Sequence, residues 1–160
     1  MVTDLSNKPP AVAVETHGCK LNQADSFKLG NQFKEFGYIV VAPEERIDVY
    51  VLNSCTVTHV ADAKARQRLR AIRRLHPDAT IVATGCYAEN SPSALSAMKE
   101  VDLVIGNSGK DDLVRQIVES TDQPYIPCAT GSDSAVLNQN INKTRSTNKT
   151  RAMVKIQEGC

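Results

Sequence analysis

Residues 48–86 read DVYVLNSCTVTHVADAKARQRLRAIRRLHPDATIVATGC, and this stretch decides the fold. Asp48–Asn53 and Thr80–Thr84 are short, nearly continuous apolar runs rich in β-branched residues. That is the pattern of strands covered on both faces of a parallel sheet. Between them, Val60–Leu75 carries Ala61, Ala65, Leu69, Ile72 and Leu75 on one stripe at helical spacing. Thr58 stands where an N-cap belongs, and His76-Pro77-Asp78 breaks the pattern. Each strand run ends beside a cysteine: Cys55 after Ser54, and Cys86 after Gly85.

The same alternation extends both ways. Ala11–Thr16 and Val101–Ile105 read as further strands, and Tyr38–Val41 as a short additional one. Asn22–Phe36 reads as a helix with Leu29, Phe33 and Phe36 on one side, ended by Gly37 in the left-handed conformation. Pro92–Lys99 and Asp111–Glu119 read as shorter helices, opened by Ser91-Pro92 and by Asp111-Asp112. Strands alternating with helices predict an α/β domain with an open, mostly parallel sheet flanked by helices, a flavodoxin- or Rossmann-like three-layer arrangement.

The chain has 160 residues, 41% of them apolar, and a net charge of +1. That suits one globular core and neither demands nor excludes a nucleic-acid partner. No apolar run reaches the ~18 residues of a membrane span, and the start lacks a signal-peptide pattern. Five scattered cysteines do not form a secreted disulfide framework, so a cytoplasmic location is expected. The expected organisation is a flexible N-terminus (1–10), the α/β domain (11–120), a linker (121–150) and the start of another domain (151–160). The linker includes the polar NQNINKTRSTNKT of Asn138–Thr150; the last ten residues, RAMVKIQEGC, turn apolar and strand-like again.

Cys19 follows the first strand through His17-Gly18. With Cys55 and Cys86, a cysteine stands just past the carboxyl end of three strands, the edge where chemistry gathers in an open parallel sheet. Their separations, 36 and 31 residues, are what one helical crossover with its loops occupies. The fourth strand end, VDLVIGNSG, has none. A single such cysteine reads as a small buried hydrophobe; three at equivalent places point to a shared ligand. Three thiolates suit zinc, with His17 or His59 completing a tetrahedron. They equally suit a [4Fe–4S] cluster with one iron left open. Spacing alone does not choose.

Three stretches, THGCKLNQADS (Thr16–Ser26), VLNSCTVTHVADAKARQRLR (Val51–Arg70) and ATGCYAE (Ala83–Glu89), resemble the N-terminal cluster-binding motifs of the radical-SAM methylthiotransferases. The resemblance runs from Ala11 to about Val118 and resumes at Thr150–Cys160. It implies that Cys19, Cys55 and Cys86 bind an auxiliary [4Fe–4S] cluster that carries the transferred sulfur. The letters around the cysteines resemble the threonylcarbamoyladenosine branch more than the isopentenyladenosine or ribosomal-protein branches. The closing VKIQEGC resembles the first strand of a radical-SAM barrel, where Cys160 is the first ligand of a second [4Fe–4S] cluster that binds S-adenosylmethionine. The resemblance therefore implies an enzyme that adds a 2-methylthio group to an adenosine beside the anticodon of tRNA. Because only Cys160 of the second motif is present, the barrel and a C-terminal RNA-binding module are expected to be missing, and the 160-residue chain alone is expected to be inactive. The alternatives are the other two branches, or a non-catalytic metal- or RNA-binding module.

The remaining features have plainer readings. Arg66, Arg70, Arg73 and Arg74 fall opposite the apolar stripe of Val60–Leu75, as a tRNA-contacting face, a solvated one or a face docked against the missing barrel. Arg68 falls inside the stripe and should either reach past it or pair with a carboxylate. His17 and His59 read as loop or supporting histidines, and His76 as a helix-end residue. Asn22 and Gln23 stand beside the first cysteine, as pocket residues or, for Asn22, an N-cap. Gly18, Ser54 and Gly85 should permit close approach to a ligand or offer backbone amides to it. Cys128 lies outside the strand-end pattern and reads as a bystander. Gly106–Lys110 lacks the spacer and the following Ser/Thr of a phosphate loop.

Overall fold

The computed structural model describes residues 8–56 and 58–120. Five strands, β1 (Ala11–His17), β2 (Ile39–Val40), β3 (Val49–Ser54), β4 (Thr80–Gly85) and β5 (Leu103–Ile105), form one sheet in the order β2-β1-β3-β4-β5. Every pairing is parallel. The helices are α1 (Lys20–Glu35), α2 (His59–Leu75), α3 (Cys86–Asn90), α4 (Pro92–Ser96) and α5 (Leu113–Ser120), with a 3-10 turn at Asn107–Asp112. This is the expected α/β architecture.

The strands' side chains divide it into two cores. Val12, Val49, Val51 and Val82 pack with Leu29 and Phe33 of α1 and with Leu113 and Ile117 of α5. The alternate positions, Ala13, Tyr50, Leu52 and Ile81, pack with Leu69 and Ile72 of α2 and with Tyr87 and Leu95. A sheet buried on both faces explains why its strands read as unbroken apolar runs rather than alternating ones. From β1 the chain goes outward to β2, then returns past β1 to β3. The sheet's direction of growth therefore reverses between β1 and β3, opening a crevice at their carboxyl ends.

Local signals account for most boundaries. The Thr58 hydroxyl accepts from the Ala61 amide at 3.2 Å and caps α2. Gly37 follows α1 at φ 83°, a left-handed position that favours glycine. The structure also corrects several expectations. Helix α1 begins at Lys20 with Cys19 as its N-cap residue, so Asn22 lies inside the first turn. A short helix, α3, which the pattern did not indicate, starts at Cys86 itself, and the helix expected over Pro92–Lys99 ends at Ser96. Helix α5 starts two residues after Asp111, because the preceding residues wind as a 3-10 turn. Strand β5 starts at Leu103, because the Asp102 carboxylate accepts from the Ile81 amide at 2.7 Å. Leu75 lies on the apolar stripe but is 55% exposed at the end of α2.

Residues 121–160 lie outside the described residues. The expectations for the linker, Cys128, Cys160 and the final strand fall there, as does most of the expected flexible N-terminus. Among the described residues no helix is long and apolar enough to cross a membrane.

Candidate metal centre

The three cysteines of the strand-end pattern come from three adjacent strands. His17, Ser54 and Gly85 are paired laterally as the last residues of β1, β3 and β4. Cys55 and Cys86 are each the next residue, and Cys19 is one residue further on. With strands about 4.8 Å apart, the row spans roughly 10 Å. Cys19 is exposed, Cys86 half-buried and Cys55 buried, and all three are free thiols. Among the described residues no three His, Cys, Asp or Glu side chains converge as ligands of a single metal ion would. The thiols stand along a rim.

The loops carrying them are in contact. The Cys55 amide donates to the His17 carbonyl at 2.8 Å, continuing the ladder one step past the strands. A Cβ added at Gly18 would sit 2.9 Å from the Cys55 Cβ and 2.8 Å from Asn22 Oδ1. Gly85 has φ 99°, and a Cβ there would overlap the Ser54 carbonyl oxygen and come within 2.6 Å of Asn53 Oδ1. Both glycines before cysteines are thus required for close packing of the rim. Ser54 instead is an ordinary ladder residue, 1% exposed.

Two buried asparagines lie under this rim. Asn22 is 2% exposed and Asn53 fully buried. The Cys19 thiol donates to Asn22 Oδ1 at 3.1 Å. Asn22 Nδ2 donates to Asn53 Oδ1 at 3.1 Å, and Asn53 Nδ2 donates to the Asn22 carbonyl at 2.9 Å and to Ser26 Oγ at 3.1 Å. Asn22 is therefore a residue of the cysteine pocket and not a cap. Asn53 was not singled out from the sequence. Its one signal was a polar residue at the end of an apolar strand, where solvent exposure is the usual reading.

On the opposite face, Glu15 of β1 gathers three donors. Arg68 Nε donates to its Oε2 at 2.8 Å, Tyr50 Oη to the same oxygen at 2.8 Å, and His17 Nε2 to its Oε1 at 2.8 Å. Burial pushes the Glu15 carboxyl up, but these hydrogen bonds and the Arg68 charge outweigh it and hold it below the ordinary value. Burial and then the Glu15 charge push the Tyr50 phenol up. Of its two expected readings Arg68 takes the pairing with a carboxylate, and the ring of His17 meets Glu15. His59 is the exposed first residue of α2. His76 follows α2, and its Nε2 donates to the Pro43 carbonyl at 2.9 Å.

The arginine row of α2 is not a uniform surface. Arg66 donates to Tyr87 Oη at 2.6 Å. Arg73 donates to the carbonyls of Pro77, Ala79 and Glu100 and to Asp102 at 2.5 Å. Arg70 stands 4.0 Å from Glu100, and Arg74 is exposed. Lys110, in the turn after β5, pairs with the buried Asp25 of α1 at 2.8 Å, a structural role in place of a phosphate loop.

A protein-family profile described as "Uncharacterized protein family UPF0004" matches residues 11–106, a span that includes all three rim cysteines. The chain is 40% identical over 152 residues to the threonylcarbamoyladenosine tRNA methylthiotransferase MtaB of Aquifex aeolicus, covering 93% of this chain and 37% of that protein. It is 38% identical over 150 residues to the protein of the same name from Bacillus subtilis, covering 93% and 33%. Against a tRNA-2-methylthio-N(6)-dimethylallyladenosine synthase of Clostridium botulinum it is 30% identical over 155 residues, covering 92% and 34%. The chain spans about a third of the length of the curated relatives it matches.

Proposed function

The chain belongs to the UPF0004 family of methylthiotransferase N-terminal domains, and on that premise we propose that it is the cluster-holding part of a tRNA methylthiotransferase acting on threonylcarbamoyladenosine. Cys19, Cys55 and Cys86 are the ligands of an auxiliary [4Fe–4S] cluster. The observation that carries this is the placement of three cysteines, none in a disulfide, at three adjacent strand ends beside the reversal point of a parallel sheet. A row of thiols along one rim would suit a multi-iron group better than a single ion.

Three protein ligands leave one iron of such a cluster open to hold the sulfur species that is transferred. The residues of this chain bind and orient the group. Gly18 and Gly85 let the thiol loops pack together, and Asn22 meets Cys19 from below. Higher identity to the two threonylcarbamoyladenosine enzymes than to the dimethylallyladenosine synthase favours the first substrate. Cys160 is assigned to the first ligand position of a second cluster with S-adenosylmethionine, and tRNA is the partner of the whole enzyme, in the cytoplasm.

The test is iron and acid-labile sulfide content after anaerobic reconstitution of the chain, compared with Cys86→Ala and Cys128→Ala. About four iron and four sulfide per chain are expected, lost in Cys86→Ala and kept in Cys128→Ala. Background iron in the wild type, or equal iron in Cys86→Ala, sinks the assignment.

A further inference from the structure

The row of residues directly beneath the rim is polar across the sheet: Thr16, Asn53 and Thr84 are lateral neighbours on β1, β3 and β4. They stand on the α1 side, above an apolar row of Val14, Val51 and Val82. Thr16 Oγ1 donates to Ser26 Oγ at 2.6 Å, while the Thr84 hydroxyl is fully buried with no hydrogen-bond partner among the described residues. Burying an unsatisfied hydroxyl lowers stability. A row of valines would continue the core without that cost. Stability alone does not account for this polar row.

What the row does is visible at its centre. Through Asn22 the asparagine pair reaches the Cys19 thiol. Through Asn53 it stands two positions before Cys55 in the chain, at the end of β3. Asn53 Oδ1 also lies against the space that Gly85, the residue before Cys86, leaves empty. One pair of side chains therefore contacts or borders the loops of all three cysteines. We infer that the Asn22–Asn53 pair is a positioning device that holds the three thiol loops in fixed relation before the cluster binds, an inference that rests on the three-cysteine assignment. Neither asparagine is a ligand. Each acts through a cysteine or its loop. Two side-chain amides suit this role because each offers both donor and acceptor, so the pair closes on itself and still reaches outward.

The experiment uses the 160-residue chain with Asn22→Ala, Asn53→Ala and Leu29→Ala. Leu29 is 2% exposed in the α1-side core and outside the asparagine network, so its variant loses stability without touching the brace. Iron loss to excess chelator is followed after reconstitution, together with melting temperature. Removal of a residue that orients ligands costs about 10–100-fold in metal affinity, so both asparagine variants should lose iron at least about tenfold faster than the wild type. Leu29→Ala, melting no higher than they do, should retain iron as the wild type does. Wild-type retention in the asparagine variants, or equally fast loss in Leu29→Ala, overturns the inference. Alkylation of the metal-free chain reads the brace without iron: buried Cys55 should react faster in both asparagine variants than in Leu29→Ala. If the wild type takes up no iron while alkylation responds in this way, the cluster assignment fails and the brace stands. If alkylation is unchanged, the brace fails.

Discussion

The amide of Cys55 donates to the carbonyl of His17 at 2.8 Å, which ties the second cysteine to the loop that carries the first. The β1–β3 ladder thereby runs one step past the strands, and this backbone bond fixes the two thiol loops beside each other above the asparagine pair.

That contact makes the neighbouring glycines sensitive. In Gly85→Ala, a side chain is placed at φ 99° against the Ser54 carbonyl oxygen. The strained backbone alone costs about 1–3 kcal/mol. A domain of this size loses about 4 °C of melting temperature per kcal/mol. Gly18→Ala has no backbone strain and displaces the Asn22 side chain and Cys55. It should lower the melting temperature less than Gly85→Ala while still reducing iron retention after reconstitution. Equal melting temperatures for Gly85→Ala and the wild type contradict this packing.

Glu15 gives the fold a pH dependence with a defined sign. Its folded carboxyl lies below the ordinary 4.5, so its ionised form contributes stability above that value. The contribution is lost as pH falls through the lower, folded value. Glu15→Gln should therefore be less stable than the wild type at pH 7, with the difference shrinking below about pH 4. Urea titrations of both proteins across that range check it. A constant difference means that the Arg68 and Tyr50 contacts do not act on the charged form.

Arg73 and Arg74 are adjacent in sequence and should behave oppositely. Arg73 ties the turn after α2 to the residues before β5 through three carbonyls and Asp102. Its replacement by Ala should cost about 2 kcal/mol or more, since hydrogen bonds to a charged group are worth about 1.5–3 kcal/mol. Exposed Arg74→Ala should stay within about 0.5 kcal/mol of the wild type. Chemical denaturation distinguishes them, and similar losses would contradict the assignment.

The Lys110–Asp25 pair is nearly enclosed, with side-chain exposures of 11% and 9%. Removing one partner takes the nearest opposite charge away from the other at a nearly enclosed site, and breaking a buried pair in this way costs up to about 3–5 kcal/mol. Lys110→Ala should therefore destabilise more than the double replacement Asp25→Leu with Lys110→Met, which removes both charges. A double variant less stable than the single one would show that the pair itself contributes net stability.

What is local was legible in the residues alone. β-Branched runs marked the buried strands, the Thr58 cap and the apolar stripe marked α2, and Gly37 marked the end of α1. Three cysteines at like positions after three strands already placed the candidate site at one sheet edge, because parallel strands joined by helices all end on the same side. Tertiary structure alone decided the partners. Glu15 and Arg68 meet 53 residues apart, and Asn22 and Asn53 meet 31 residues apart. Those meetings depend on the strand order, which puts β1 beside β3 and carries α1 over their ends. A periodic pattern states which face of an element is buried. It does not state which element will cover that face, and the buried asparagine and the paired arginine took their roles from that choice.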